Sequence, residues 1–204
     1  MTDRARPADQ RRRIATLRAA VLGLGGLLLM TRSAWPDGSL PYEILEPLGA
    51  LLVIVSVLGR AWAMLYIGGR KNGVVMQDGP YSVCRHPLYL FSTVAAAGFG
   101  ALLGSVVLTL GIGALTYAIL IRTARREEAF LRAEFPGTYE PSAARVPAIL
   151  PAPSLFRTAP EITVNVHSLR RNMGDALVFL AFIPLAEAIE ELHRVLPWRT
   201  VALW

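Results

Sequence analysis

Apolar residues along this 204-residue chain fall in long blocks, not in the stripes of a surface helix or the alternation of a half-buried strand. The first block, 14–30, reads "IATLRAAVLGLGGLLLM", about the length that crosses a ~30 Å hydrocarbon core. Its "MTRSAWPDG" end reads as an ordinary helix exit, without the small-residue cleavage site of a signal peptide. A second block runs over about 44–68, with one internal charge at Arg60, expected to snorkel toward the near interface. After the polar connector "GRKNGVVMQDGPYSVCRHP", 34 residues from Leu88 to Ile121 carry no charge. That run is too long for one ordinary span and enough for two short ones, so it predicts a helical hairpin turning within "GFGALLGS" at 98–105. Charges are excluded because each would cost roughly 2.5–3.5 kcal/mol at mid-membrane on insertion scales.

Residues 122–173 form the one sizeable polar region and carry no transmembrane signal. The last block, 174–198, begins apolar, contains Pro184 and turns acidic at Glu187, Glu190 and Glu191. It predicts a fifth membrane helix kinked at the proline, with an interfacial or re-entrant helix as the alternative. The expected fold is therefore all-α: a polytopic membrane helical bundle of about five transmembrane helices, with a tight hairpin between the third and fourth. Three regions follow: 1–68 with the first two spans, 69–151 as a core around the hairpin, and 152–204 as a C-terminal extension.

Composition agrees, with 53% hydrophobic and 18% charged residues and a mean hydropathy of +0.43, against about 25% charged in average soluble chains. The net charge of +6 is almost wholly arginine. Because the arginines cluster beside apolar blocks, they point to lipid headgroups and not to nucleic acid. Cys84 is the only cysteine, so no intrachain disulfide is possible. No metal-ligand set is expected. Arginine placement sets the orientation: segments 1–18, 69–87 and 122–173 are rich in arginine, whereas Arg32, Arg194 and Arg199 are the few on the other side. The N-terminus and both chemically rich segments are thus expected on the cytoplasmic face of a multi-pass protein, with the cell inner membrane as the expected location, since positive loops stay inside.

Those two segments are "GPYSVCRHPLY" (79–89) and "RTARREEAFLRAEFPGTYEPSAARVPAILP" (122–151). A hairpin that goes out and comes straight back brings Arg85, His86 and Tyr89 to Glu127 and Glu128. Pro87 restricts His86 and suits the first turn of the following helix, whose amides favour an anion. A zwitterionic head would fit, its carboxylate on Arg85 and its ammonium on Glu127 or Glu128. Taken singly, each feature has a plain structural reading: topology-anchoring arginines, a solvated "REE" helix end, belt tyrosines at 81 and 89, and Cys84 as a small filler. The pairing of the segments is what lifts them above it.

The ordered set Gly79, Tyr81, Arg85, His86, Pro87, Tyr89, then Glu127, Glu128, Leu131, Phe135, Tyr139, then Arg145, Val146, Pro147, Pro151 resembles the isoprenylcysteine carboxyl methyltransferase family. It is also similar to the broader phospholipid methyltransferase group. The resemblance implies a helical membrane enzyme that uses S-adenosyl-L-methionine and takes a lipophilic acceptor from the bilayer. It implies cofactor contacts at Tyr81, His86, Pro87, Tyr89, Glu127, Glu128 and Tyr139, and catalytic roles for Arg85, His86 and Arg145, the last anchoring a closing loop or a substrate carboxylate. Phe91 stands where the family commonly has glycine, and Ser142 where a second tyrosine often falls. Carboxyl methylation of an isoprenylcysteine-like substrate is the first reading, needing no base; amine or phospholipid N-methylation is the alternative, with His86 as base. Two rivals remain. An NADPH-dependent sterol-type reductase is disfavoured by Leu88, Phe91 and the E-E…R-V-P tail, and a non-catalytic membrane interaction protein would tolerate alanine at His86, Glu127 and Glu128.

Overall fold

The computed structural model describes residues 23, 25–36, 38–68, 73–195 and 200–204. Most of the first apolar block and the arginines preceding it lie outside the described residues, as do Arg70, Lys71 and Arg199. Residues 25–30 are helical and lead into a short strand, β1 (Thr31–Ser33). The helix exits at Met30 as expected, and the segment after it has an unforeseen use: β1 pairs in parallel with β2 (Val201–Leu203) near the end of the chain.

Helix α1 (Leu40–Ile67) follows, then a single turn α2 (Pro80–Val83), α3 (Pro87–Leu102), α4 (Val106–Glu134) and α5 (Pro136–Arg145). The C-terminal extension holds α6 (Val166–Leu177), a 3-10 stretch at Val178–Ala181, and α7 (Phe182–Val195). Among the described residues, three segments are long and apolar enough to cross a membrane: α1, α4, and the run Val166–Val195. The chain is a helical integral membrane protein. α3, at 16 residues, is a shorter apolar helix packed between α1 and α4.

The elements alternate in direction. Ser33 Oγ donates to the Gly104 carbonyl at 2.7 Å, and the Val107 amide donates to the Trp204 carbonyl at 2.7 Å, so the hairpin turn, β1 and β2 share one end. Gly68 meets Ser168 at the other end, where the long polar connections gather. α7 packs Ala186 and Ile189 against Leu28, Val53, Phe99, Leu102 and Leu108 in the main apolar cluster, so the C-terminal extension is part of the bundle.

The turn between α3 and α4 falls within the expected 98–105 stretch and is confined to its end, Leu103–Ser105. Gly104 takes φ +62°, and Ser105 caps α4 by accepting from the Leu108 amide at 3.2 Å. Gly98 is used instead for packing. A β-carbon on Gly49 of α1 would lie 2.5 Å from the Leu102 amide nitrogen and 2.7 Å from the Gly98 carbonyl oxygen. Backbone meets backbone here, as small residues allow in membrane helices.

Two further expectations change. The final segment breaks before Pro184, not at it: a proline three positions into α7 offers no N–H to the Leu180 carbonyl. The ladder accordingly tightens, and the Phe182 amide reaches Leu180 and Phe179. Arg60 does not reach for the interface; it donates to the Leu88 carbonyl at 3.2 Å and Ser92 Oγ at 2.5 Å, beneath the Phe179 ring.

The α1–α3 contact yields a test. Gly49→Ala must push two backbones apart, a cost of about 1–3 kcal/mol, so thermal unfolding in detergent should fall by several degrees. Gly111, with open space around its α-carbon, is the control, and Gly111→Ala should leave the midpoint level or slightly raised.

Candidate active site at the polar end of the bundle

Gly79 begins the site. It adopts φ +59°, and a β-carbon there would fall 2.3 Å from the Tyr66 ring, so only glycine fits. One turn of α2 then delivers Cys84 in extended conformation. His86 caps α3 at φ −124°, ψ 61°, outside the helical region as a residue before proline should be.

A strap of chain after α5 runs back along this stretch. The Arg85 and His86 amides donate to the Pro147 and Ala148 carbonyls at 2.9 Å each, and the Ala152 amide donates to the Val83 carbonyl at 2.9 Å. The Gly79 amide donates to the Arg157 carbonyl at 2.8 Å, and the Arg157 amide to Ser82 Oγ at 3.0 Å. The R-V-P run thus contributes mainly backbone.

Arg85 is the hub. Its Nε and Nη2 donate to Glu128 Oε1 at 3.0 and 2.8 Å, and Nη1 donates to the Ala143 and Val146 carbonyls, both at 2.8 Å. Those carbonyls end α5, where helices leave acceptors unsatisfied. One guanidinium therefore ties the loop before α3 to the end of α4 and the end of α5, using four of its five donors.

His86 is buried, with Nε2 3.1 Å from Glu128 Oε1 and Nδ1 3.8 Å from Glu127 Oε2. Its ring stacks on Tyr89 at 5.3 Å between centroids and 12° between planes. Burial pulls the imidazole below its ordinary pKa, against the opposing pull of the Glu128 hydrogen bond and both carboxylates. A neutral ring that donates from Nε2 to Glu128 keeps Nδ1 as a free acceptor. Tyr89 donates to Glu127 Oε2 at 2.9 Å.

The two adjacent glutamates therefore differ. Glu128 is enclosed behind the site by Arg85 and His86, while Glu127 lines a cavity that opens to the surroundings. Tyr81, Arg85, His86, Tyr89, Tyr139 and Ser142 join Glu127 in the cavity's polar wall; Ile67, Val74, Met76, Leu88 and Leu131 give an apolar one. The Tyr81 and Tyr139 hydroxyls are buried without a partner of good geometry among the described residues. Burial is the first cause raising both, that of Tyr139 to about 12, with the neighbouring Glu128 adding to it.

Of the residues singled out in the sequence, Arg85, His86, Pro87, Tyr89, Tyr81, Glu127, Glu128 and Tyr139 come together here. Arg145 does not: it is exposed and donates to Gln77 Oε1 at 3.3 Å. Gln77, Met76, Arg157 and the carbonyls of Ala143 and Val146 enter the site or its frame without having been singled out. Carbonyl roles leave no side-chain signature, and Arg157 stands in no motif.

A profile of the family "Phospholipid methyltransferase" matches residues 46–137, from early α1 through the hairpin and both glutamates. Two curated proteins match over nearly the whole chain. The cobalt-zinc-cadmium resistance protein CzcN of Cupriavidus metallidurans is 39% identical over 186 residues, covering 90% of this chain and 84% of its own. The nickel-cobalt-cadmium resistance protein NccN of Alcaligenes xylosoxydans xylosoxydans is 36% identical over 189 residues, covering 92% and 87%. The chain belongs to the phospholipid methyltransferase family. No solved structure matches it. Within this family the matched region ends before Tyr139 and the strap, so those parts of the cavity wall lie outside the shared profile.

Cys84, the sole cysteine, is fully buried behind Arg85, and burial raises its thiol to about 11. The thiolate is the reactive form. Alkylation at pH 8 should therefore be slow in the folded protein and complete after unfolding in SDS, as read by mass spectrometry. Rapid labelling of the folded form would contradict this packing.

Proposed function

We propose that this protein transfers a methyl group from S-adenosyl-L-methionine to a lipophilic acceptor that reaches the cavity from the bilayer. The polar end of the bundle, with the arginine-rich connections, would face the cytoplasm, where the methyl donor is found. The observation that carries the reading is the charge of the cavity wall: Arg85 is matched by Glu128, which leaves the Glu127 carboxylate facing open space. A ligand with a sulfonium and an ammonium suits a wall whose arginine, Arg85, is already paired with Glu128 and whose remaining charge is the Glu127 carboxylate beside three tyrosines, and the two buried tyrosine hydroxyls favour a ligand that gives them partners.

When bound, the donor supplies an electrophilic methyl group on a sulfonium. The chain's own contribution is holding and proton handling. Glu127, steadied by Tyr89, would hold a cationic centre; Tyr81 and Tyr139 would hydrogen-bond the polar ligand; Leu88, Leu131 and Val74 exclude water from the reacting end.

The same wall bears on the acceptor. Carboxyl methylation of an isoprenylcysteine-like substrate calls for a cation to hold the carboxylate, and Arg85 has four donors committed elsewhere. An amine acceptor instead needs a proton removed before it can attack, and His86, whose burial disfavours the charged ring, would offer Nδ1 as the base in the tautomer that donates from Nε2 to Glu128. We therefore rank N-methylation of an amine-bearing lipid above carboxyl methylation. The named relatives are resistance proteins for cobalt, zinc, cadmium and nickel; a part in metal tolerance for this chain would act through such a methylated lipid.

Calorimetric binding of S-adenosylhomocysteine to the detergent-solubilised protein tests the site. Glu127→Gln and Tyr89→Phe should each weaken it about tenfold or more, since each charged hydrogen bond is worth roughly 1.5–3 kcal/mol. Unchanged affinity in both variants, with the fold retained, would overturn the assignment.

A further inference from the structure

The strap carries a second polar feature, away from the cavity. Arg145 begins it and Arg157 ends it, and both arginines converge on one residue, Gln77. Arg145 Nη2 donates to Gln77 Oε1 at 3.3 Å, Arg157 Nη2 to the same oxygen at 3.1 Å, and Arg157 Nε to the Gln77 carbonyl at 3.3 Å. With both terminal nitrogens on one oxygen, the two guanidinium groups lie within reach of a single anion. Neither pairs with a carboxylate among the described residues, and both are solvent-exposed. Two like charges gathered on a neutral amide are short of an anion.

The surroundings say where that anion would come from. Phe156, beside Arg157, packs on Trp62 near the polar end of α1 at 6.0 Å between rings, and Tyr66 is hydrogen-bonded to Thr158 at 2.8 Å. Trp62 and Tyr66 occupy the last turns of a spanning helix, where aromatic residues mark the headgroup layer. Leu150 and Phe156 on the strap are 72% and 52% exposed, apolar side chains that a water-facing loop would bury and a headgroup-level one need not. The arginine pair therefore sits at headgroup depth.

We propose that Arg145 and Arg157, gathered on Gln77, bind the phosphate of an anionic membrane lipid, and that this contact fastens both ends of the strap over the site. Two planar guanidinium groups suit the several oxygens of one phosphate. The pair lies outside the cavity wall, so the lipid it takes is a structural partner distinct from the acceptor, and the proposal does not rest on the methyl-transfer reading. Because the strap amides and carbonyls hold Gly79, Ser82, Val83, Arg85 and His86 from behind, fastening its ends would make the whole frame open less often.

Hydrogen exchange of the full chain in nanodiscs, without any methyl donor, tests this. Discs of phosphatidylcholine alone, whose phosphate is masked by choline, are compared with discs containing phosphatidylglycerol. Exchange at the Ala152 and Arg157 amides should slow about tenfold to thirtyfold in the anionic discs, the upper figure being the scale expected when two arginines each gain an interfacial anionic partner. The double variant Arg145→Gln, Arg157→Gln should lose that slowing. Gln77→Glu, which supplies the pair with an internal carboxylate, should slow exchange in both disc types and erase the difference. It also keeps the test decisive should the double variant fail to fold. Equal exchange of the unmodified protein in both discs, or slowing that persists in the double variant, would overturn the proposal. So would slowing by inorganic phosphate in detergent with none in anionic discs, which would assign the pair to a soluble anion.

Discussion

Arg85 and Glu128 meet at 2.8 Å at the place where the hairpin returns to its starting level, and the other polar contacts of the site are arranged around that pair. A guanidinium and a carboxylate taken out of water lose hydration worth several kcal/mol each, which their mutual attraction offsets only when the remaining donors and acceptors are filled. The chain meets that condition locally. The Ala143 and Val146 carbonyls take the other side of the guanidinium, and His86 takes the same carboxylate oxygen. Removing either charge would strand its partner, the event that costs roughly 3–5 kcal/mol in fully buried pairs.

The pair also fixes the electrostatics of the cavity. Since Glu128 answers Arg85 and burial keeps His86 neutral, Glu127 is the carboxylate that meets the open space. Adjacent residues on one helix turn thus divide the work, one holding the frame and the other facing a ligand. The difference arises from direction: successive side chains on a helix do not point the same way, so one glutamate reaches back to the loop and its neighbour reaches outward to Tyr89.

Much of the architecture is legible in the chain because the membrane leaves so few options. Leu40–Ile67 and the Leu88–Ile121 hairpin stand out since charge is expelled from hydrocarbon, and a hairpin must return to the level it left. That return is what brings Arg85, His86 and Tyr89 to Glu127 and Glu128. Features decided by backbone are not legible. Pro147, Ala148 and Arg157 hold the site through carbonyls and amides that every residue carries, and β1 with β2 joins two segments with nothing in their side chains to announce it. Which glycine of 98–105 makes the turn is not legible for a related reason: the same absence of a β-carbon serves a turn at Gly104 or a close helix crossing at Gly98, and only the neighbour decides which. Arg145, named for its motif, works through Gln77, a residue of no distinctive chemistry. The first span falls mostly outside the described residues.

A double-mutant cycle on Arg85 and Glu128 tests the central claim most directly, with unfolding of Arg85→Gln, Glu128→Gln and the double variant followed by SDS titration. If the pair organises the site, the two losses will not add. The account predicts a coupling energy of about 1.5 kcal/mol or more, at the upper part of the range for residues in one network. Additivity within about 0.3–0.5 kcal/mol, the behaviour of independent sites, would contradict it.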